Sequence, residues 1–195
     1  MRKSLLLLFV LCAVGFVNRI QAQEWAVKTN LLYDATTSMN VGVEKALSEK
    51  WTLDLSGNWN PWQFSDNKKW KHWFAQPEVR YWTCRKFGGL FLAANLWGGQ
   101  YNVGGISGLP DFLGTNFSQL ADHRYEGWFV GAGIGYGYAV VLGRHWNLEF
   151  EVGIGYAYTL YDEFECAGCG RKVNTGLKHH YVGPTKAAVN FVYLF

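Results

Sequence analysis

Eight charged side chains, Lys28, Glu44, Asp54, Glu78, Arg80, Glu149, Glu151 and Lys186, sit at alternate positions of segments otherwise made of apolar and small residues. Paired carboxylates so placed could serve as acid and base catalysts or line an ion path. The basic members could instead neutralise them as buried ion pairs. Cys166 and Cys169 form a Cys-x-x-Cys beside His179 and His180, a donor set suited either to a disulfide or to a Cys2His2 metal site. Ser118, His123 and Glu126 have the residue types of a nucleophile, base and acid, the equipment of a lipid hydrolase or acyltransferase, but their spacing fits no motif. Gly131, Gly133, Gly135 and Gly137 keep strict period two, which is not the spacing of a dinucleotide-binding loop.

The elements that must position these groups are strands. From Trp128 to Leu142 the even positions carry Trp128, Val130, Ala132, Ile134, Tyr136, Tyr138, Val140 and Leu142, and the odd ones include the four glycines. After Gly143, Arg144 and His145 the alternation resumes, with Trp146, Leu148, Phe150, Val152, Ile154, Tyr156, Tyr158 and Leu160 set against Asn147, Glu149, Glu151, Gly153, Gly155 and Ala157. This predicts a long β-hairpin with one bulky apolar face and one small or charged face. A barrel of about eight strands has an interior only just filled by side chains, so the glycines and carboxylates are expected inside and the apolar face outside, against lipid.

The same alternation yields eight strands. The first is expected from Trp25 to Tyr33, with Lys28 and Asn30 inward. The second runs near Asn40 to Leu47 with Glu44 inward, and the third from Trp51 to Trp59 with Asp54, Ser56 and Asn58 inward. The fourth, near Trp73 to Trp82, turns Gln76, Glu78 and Arg80 inward, and Pro77 suggests a bulge or a local break in pairing. The fifth spans Gly89 to Tyr101, the sixth and seventh form the hairpin, and the eighth runs from Tyr181 to Phe195. Short turns at Ser48 to Lys50, Cys84 to Gly88 and Gly143 to His145 alternate with long loops at Pro61 to Lys71, Asn102 to Arg124 and Asp162 to His179. In outer-membrane barrels the short turns are periplasmic and the long loops extracellular. Aromatic girdles are expected at Trp51, Tyr81, Trp146, Tyr193 and Phe195 on the periplasmic rim, and at Tyr33, Trp59, Trp73, Trp128 and Tyr158 on the outer one.

Arg2 and Lys3 precede an apolar run from Leu5 to Val17, and Gln21 and Ala22 lead into Gln23: a secretory signal peptide over residues 1–22, with the barrel over residues 23–195. The run is shorter than the ~20 residues of a helical span. The formal charge of +3 resides in Arg2, Lys3 and Arg19, so the remaining chain is near neutral and offers nothing to nucleic acid. A mean hydropathy of −0.07 accords with strands that turn only alternate residues to lipid.

Several phrases then resemble a known family: KTNLLYDATTSMNVGVE (Lys28 to Glu44), QPEVRYW (Gln76 to Trp82), GGQYNVGG (Gly98 to Gly105), GYGYAVVLGRHWNLEFEVGIGYAY (Gly135 to Tyr158) and GPTKAAVNFVYLF (Gly183 to Phe195). They are similar to the small outer-membrane proteins filed as domain of unknown function 3575. The resemblance implies a barrel in a Gram-negative outer membrane and, for some members, association with fimbrial clusters; it implies no catalytic residues. Phe191, Tyr193 and Phe195 also resemble the C-terminal signal that barrel-assembly machinery recognises.

The expectation is therefore an eight-stranded antiparallel up-and-down transmembrane β-barrel in the cell outer membrane, its lumen closed by ion pairs among the eight charges. Its partners would be outer-membrane lipid and the assembly machinery. In an oxidising compartment Cys166 and Cys169 are expected to form a disulfide, leaving Cys84 as a free thiol. No cofactor is expected. The function would be non-enzymatic, with extracellular loops that bind a partner or support a surface structure such as fimbriae. The alternative is a lipid-modifying enzyme.

Overall fold

The computed structural model describes residues 23–64, 68–106, 118–168 and 170–195; the expected leader lies outside them. Eight strands, β1 (Trp25–Asn30), β2 (Met39–Ala46), β3 (Trp51–Asn60), β4 (Lys69–Trp82), β5 (Gly89–Gly104), β6 (Arg124–Val141), β7 (Trp146–Phe164) and β8 (Lys172–Leu194), follow one another around a closed antiparallel barrel. Closure is made by β1 and β8, whose register runs from Ala26 opposite Leu194 to Asn30 opposite Asn190. No helix among the described residues is long and apolar enough to cross a membrane.

The short connections are tight because their polar groups are used locally. Leu47 and Ser48 both donate to the Trp51 carbonyl, at 2.8 and 3.1 Å, while the Ser48 hydroxyl accepts from the Trp51 amide at 3.2 Å. Between β4 and β5 the chain reverses through Phe87 and Gly89, with φ of 62° and 80°. Phe87 tolerates this left-handed conformation because its ring is buried and its carbonyl accepts from Asn147 Nδ2 at 2.6 Å.

The first strand is shorter than the alternation predicts. It ends at Asn30, whose Oδ1 accepts from the Leu32 amide at 3.1 Å and starts a single turn, α1 (Leu31–Ala35). The turn redirects Tyr33 away from the expected outer girdle, and its ring packs edge-on against Phe74 at 5.8 Å. Pro77 pairs with Leu55 on β3 and brings the expected local break on its other side, where Gln76 and Pro77 drop out of the β4 to β5 ladder. Register shifts fall between Gly153 and Ile154, opposite Lys186 and Pro184, and again from Tyr161 to Phe164.

The upper strands outrun their expected ends. The segment expected as a loop from Asp162 to His179 is largely strand, because Lys172 pairs with Asp162 at 2.7 Å and Asn174 donates to Glu163 at 2.7 Å, zipping β7 to β8. Likewise β5 continues to Gly104, β6 begins at Arg124 and β4 at Lys69. The barrel thus has a low wall, β1 to β3, and a tall one, β4 to β8. Above Asn190, β8 continues to Lys172 with β7 beside it and α1 against its lower part.

The interior has three layers. At the end of the short turns lies an apolar cluster of Ala26, Trp82, Phe87, Phe91, Ala93, Ala139, Val192 and Leu194. Charged groups fill the middle. Above them sit buried asparagines, with Asn40 donating to Asn58 at 2.6 Å and Asn60 to Ser38 at 3.1 Å, and an aromatic set in which Phe74 touches Phe129 at 6.0 Å.

Candidate functional site

The charged layer begins with a like-charge row. Register places Glu44 opposite Asp54 and Asp54 opposite Glu78, three carboxylates side by side on β2, β3 and β4, an arrangement that is repulsive on its own. The cations reach it from elsewhere. Lys28 on β1 pairs with Glu44, with Asp54 at 2.8 Å and with Glu149 at 3.3 Å. Arg80 reaches Glu44 at 3.0 Å, Glu78 at 2.6 Å, and Glu149 and Glu151 at 2.9 Å each. Lys186 on β8 closes the set on Glu78 and, at 3.0 Å, on Glu151. All eight charged residues singled out in the sequence meet in this one network. Asn95 adds a hydrogen bond to Glu78 at 3.0 Å, and the Arg80 guanidinium lies 4.5 Å from the Phe91 ring centre.

This geometry leaves the network little scope for chemistry on a substrate. Its carboxylates are buried and each faces a cation, with an apolar layer below and aromatic rings above. The cavity beside Lys28, Asp54, Arg80 and Lys186 is about 20 Å³, room for a water molecule rather than a substrate.

Large side chains inside the barrel were not foreseen, among them Trp82, Phe91 and Trp97. The volume argument that sends bulky groups outward fails locally because glycines receive them. A Cβ at Gly131 would stand 2.4 Å from the Trp97 ring, one at Gly155 2.7 Å from it, and one at Gly137 2.3 Å from the Phe91 ring. The period-two glycines of β6 thus form a trough for the aromatics of β5. The signal was present in the sequence as an aromatic strand followed by a glycine strand.

At the upper end His123 and Glu126 do not come together as base and acid. The His123 ring faces Glu163, Nδ1 to Oε1 at 3.5 Å, whereas Glu126 lies on the outward face and meets Arg124 at 3.5 Å. Ser118 opens a short 3-10 turn, Ser118–Ala121, and its side chain lies outside the described residues. Cys166 is disulfide-bonded; Cys169, its expected partner, lies outside the described residues. His179 and His180 are adjacent on β8 and point to opposite faces, His180 meeting Tyr156 Oη at 2.6 Å on the outward side, so the pair cannot converge on one ion. Cys84 is a free, exposed thiol in its turn. Phe191, Tyr193 and Phe195 lie outward on the last strand, where Trp146 stacks on Phe191 at 4.8 Å.

A pocket of about 740 Å³ opens at the tall wall. Its lining includes the outward Trp59, Lys71, Trp73, Trp128, Leu160 and Lys172 and, between those rows, the inward positions Asn60, His72, Tyr101 and Tyr161, whereas Tyr125, Phe129 and Glu163 at the same level are absent from it. By strand alternation this is a pocket of the barrel's outer face, with aromatic groups along its lower part and charged ones above.

A protein-family model described as "Protein of unknown function (DUF3575)" matches residues 6–195. Neither the curated proteins nor the solved structures gave a match. An eight-stranded barrel with a match across nearly its full length, the chain belongs to the DUF3575 family.

Proposed function

We propose that this protein is an outer-membrane barrel without enzymatic activity, whose upper rim binds a surface partner or supports a surface structure such as fimbriae. The observation that carries the membrane reading is the outward face. Leu96, Ile134, Val152, Ile154 and Val182 are each at least 60% exposed, and they belong to an apolar belt far larger than soluble monomers leave in water. Aromatic pairs border the belt, Trp51 with Tyr81 and Trp146 with Tyr193 below, Trp128 with Tyr158 above, at the levels where interfacial rings gather. The non-enzymatic reading is supported by the lumen, whose carboxylates are committed to ion pairs. The binding role falls to the upper connections because the lower turns are too short to build a recognition surface.

The test is to replace residues 107–117 and 165–171 by short Gly/Ser turns. The shortened barrel should still show heat-modifiable migration in the outer-membrane fraction while losing crosslinked partners from intact cells. Recovery of every partner, or lipid turnover that depends on Ser118 and His123, would defeat this reading.

A further inference from the structure

We infer that the outward face of the tall wall, where Lys69, Lys71 and Arg124 meet above Trp59, Trp73 and Trp128, binds the phosphomonoester headgroup of a membrane lipid. This rests on the membrane embedding proposed above. Lys69 and Lys71 share the outward face of β4, and register sets Lys69 opposite Gly104 and Gly104 opposite Arg124. With no side chain at Gly104, nothing on β5 separates the two cations. A Cβ there would approach Arg124 Cβ to 2.9 Å, so the gap is inherent in the packing.

Among the described residues, Asp162 is held by Lys172 at 2.7 Å, and Glu126, which meets Arg124 at 3.5 Å and also attracts Lys69, is the carboxylate that faces Lys69, Lys71 and Arg124. Arg124 is held in place with its guanidinium 3.7 Å from the Phe164 ring centre. The Lys69 amine titrates below its ordinary value, first because it is desolvated and then because Arg124 and Lys71 repel it. An anion with two negative charges would relieve that repulsion.

The pocket is amphipathic in the sense a lipid requires. Lys71 stands two residues above Trp73, or about 7 Å along the strand. Indole rings prefer the interface and cations the phosphate level just beyond it. Trp59, Trp73, Trp128 and Leu160 then offer the surface on which acyl chains lie, and the roughly 740 Å³ of space beside Lys71 and Lys172 accommodates a headgroup.

Native mass spectrometry of the mature chain in micelles doped with phosphatidic acid or phosphatidylcholine tests this, with inorganic phosphate as competitor and heat-modifiable migration recorded on each sample. Phosphatidic acid should be retained over phosphatidylcholine, and Lys69→Gln with Lys71→Gln should cut that preference about tenfold. Lys45→Gln, on the opposite rim, should leave it unchanged. A folded barrel with no lipid preference, or a preference that survives the double substitution, overturns the headgroup site alone. Displacement by inorganic phosphate at equal concentration would mark a phosphate site and overturn the lipid assignment. A chain that shows no heat-modifiable form overturns both this inference and the embedding on which it stands.

Discussion

Arg80 on β4 and Glu149 on β7 meet across the lumen, Nη1 to Oε2 at 2.9 Å, from strands that share no ladder. The barrel is therefore tied through its middle as well as around its wall. Replacing Arg80 by Met would leave Glu44, Glu78, Glu149 and Glu151 short of their shared cation, at a cost of about 3–5 kcal/mol. Urea unfolding in detergent would measure it, and a loss below about 1 kcal/mol would contradict the network's structural role.

Gly131 is held small by Trp97, the ring lying 2.4 Å from where a Cβ would stand. Gly131→Ala is expected to destabilise the barrel by about 1–3 kcal/mol. In a Trp97→Ala background the same substitution should cost much less, giving a coupling energy in a double-mutant cycle. Additive effects would mean that the ring relaxes elsewhere.

With ion pairs at mid-height and an apolar layer beneath them, the barrel should carry no steady current. Planar-bilayer recording of reconstituted protein checks this, and stable, ion-selective openings in most insertions would exclude the closed lumen.

At the tip of the β7–β8 hairpin, Asp162 titrates below the usual aspartate range, first because Lys172 donates to it and then because the Gly176 amide does, at 2.9 Å. The folded value is depressed. Its contribution is therefore complete above the unfolded value of about 3.9 and is lost as pH falls through the folded one. The Gly176 amide resonance should shift with a midpoint below about 3.9, and Asp162→Asn should abolish the transition. A midpoint at or above that value would show that the bond does not persist in solution.

Phe195 ends the chain within the closing seam, its amide donating to the Trp25 carbonyl at 3.0 Å and its carbonyl accepting from the Trp25 amide at 3.2 Å. Deleting it removes an aromatic group of the expected insertion signal together with these bonds. The membrane-inserted fraction should fall several-fold, as judged by fractionation and heat-modifiable migration. An unchanged fraction would assign insertion to another segment.

The β6–β7 hairpin was legible because glycine and aromatic positions alternate without interruption, and the lumen positions of Glu149 and Glu151 followed from that parity alone. The turn at Leu31 was not legible, since it depends on Asn30 Oδ1 also reaching the Val189 amide at 3.2 Å, across the closing seam. The height of β7 and β8 was missed for a different reason. Above the apolar belt the sequence no longer alternates bulky with small residues, and pairing there rests on contacts such as Lys172 with Asp162. Glu126 and His123 have the residue types of an acid and a base without a motif's spacing, and the parity of β6 and the position of Glu163 separate them.

The row Glu44, Asp54, Glu78 has a consequence for the order of assembly. A sheet of β2, β3 and β4 alone would hold three adjacent carboxylates against Arg80, its only lumenal cation. The two lysines that add to Arg80, Lys28 and Lys186, lie on the two strands that form the closing seam, β1 and β8. A partial sheet without β1 and β8 is thus electrostatically frustrated, and the lysines act as a latch that favours docking the two terminal strands. Lys28→Gln with Lys186→Gln should accordingly slow the appearance of the heat-modifiable, folded form in refolding more than it speeds unfolding.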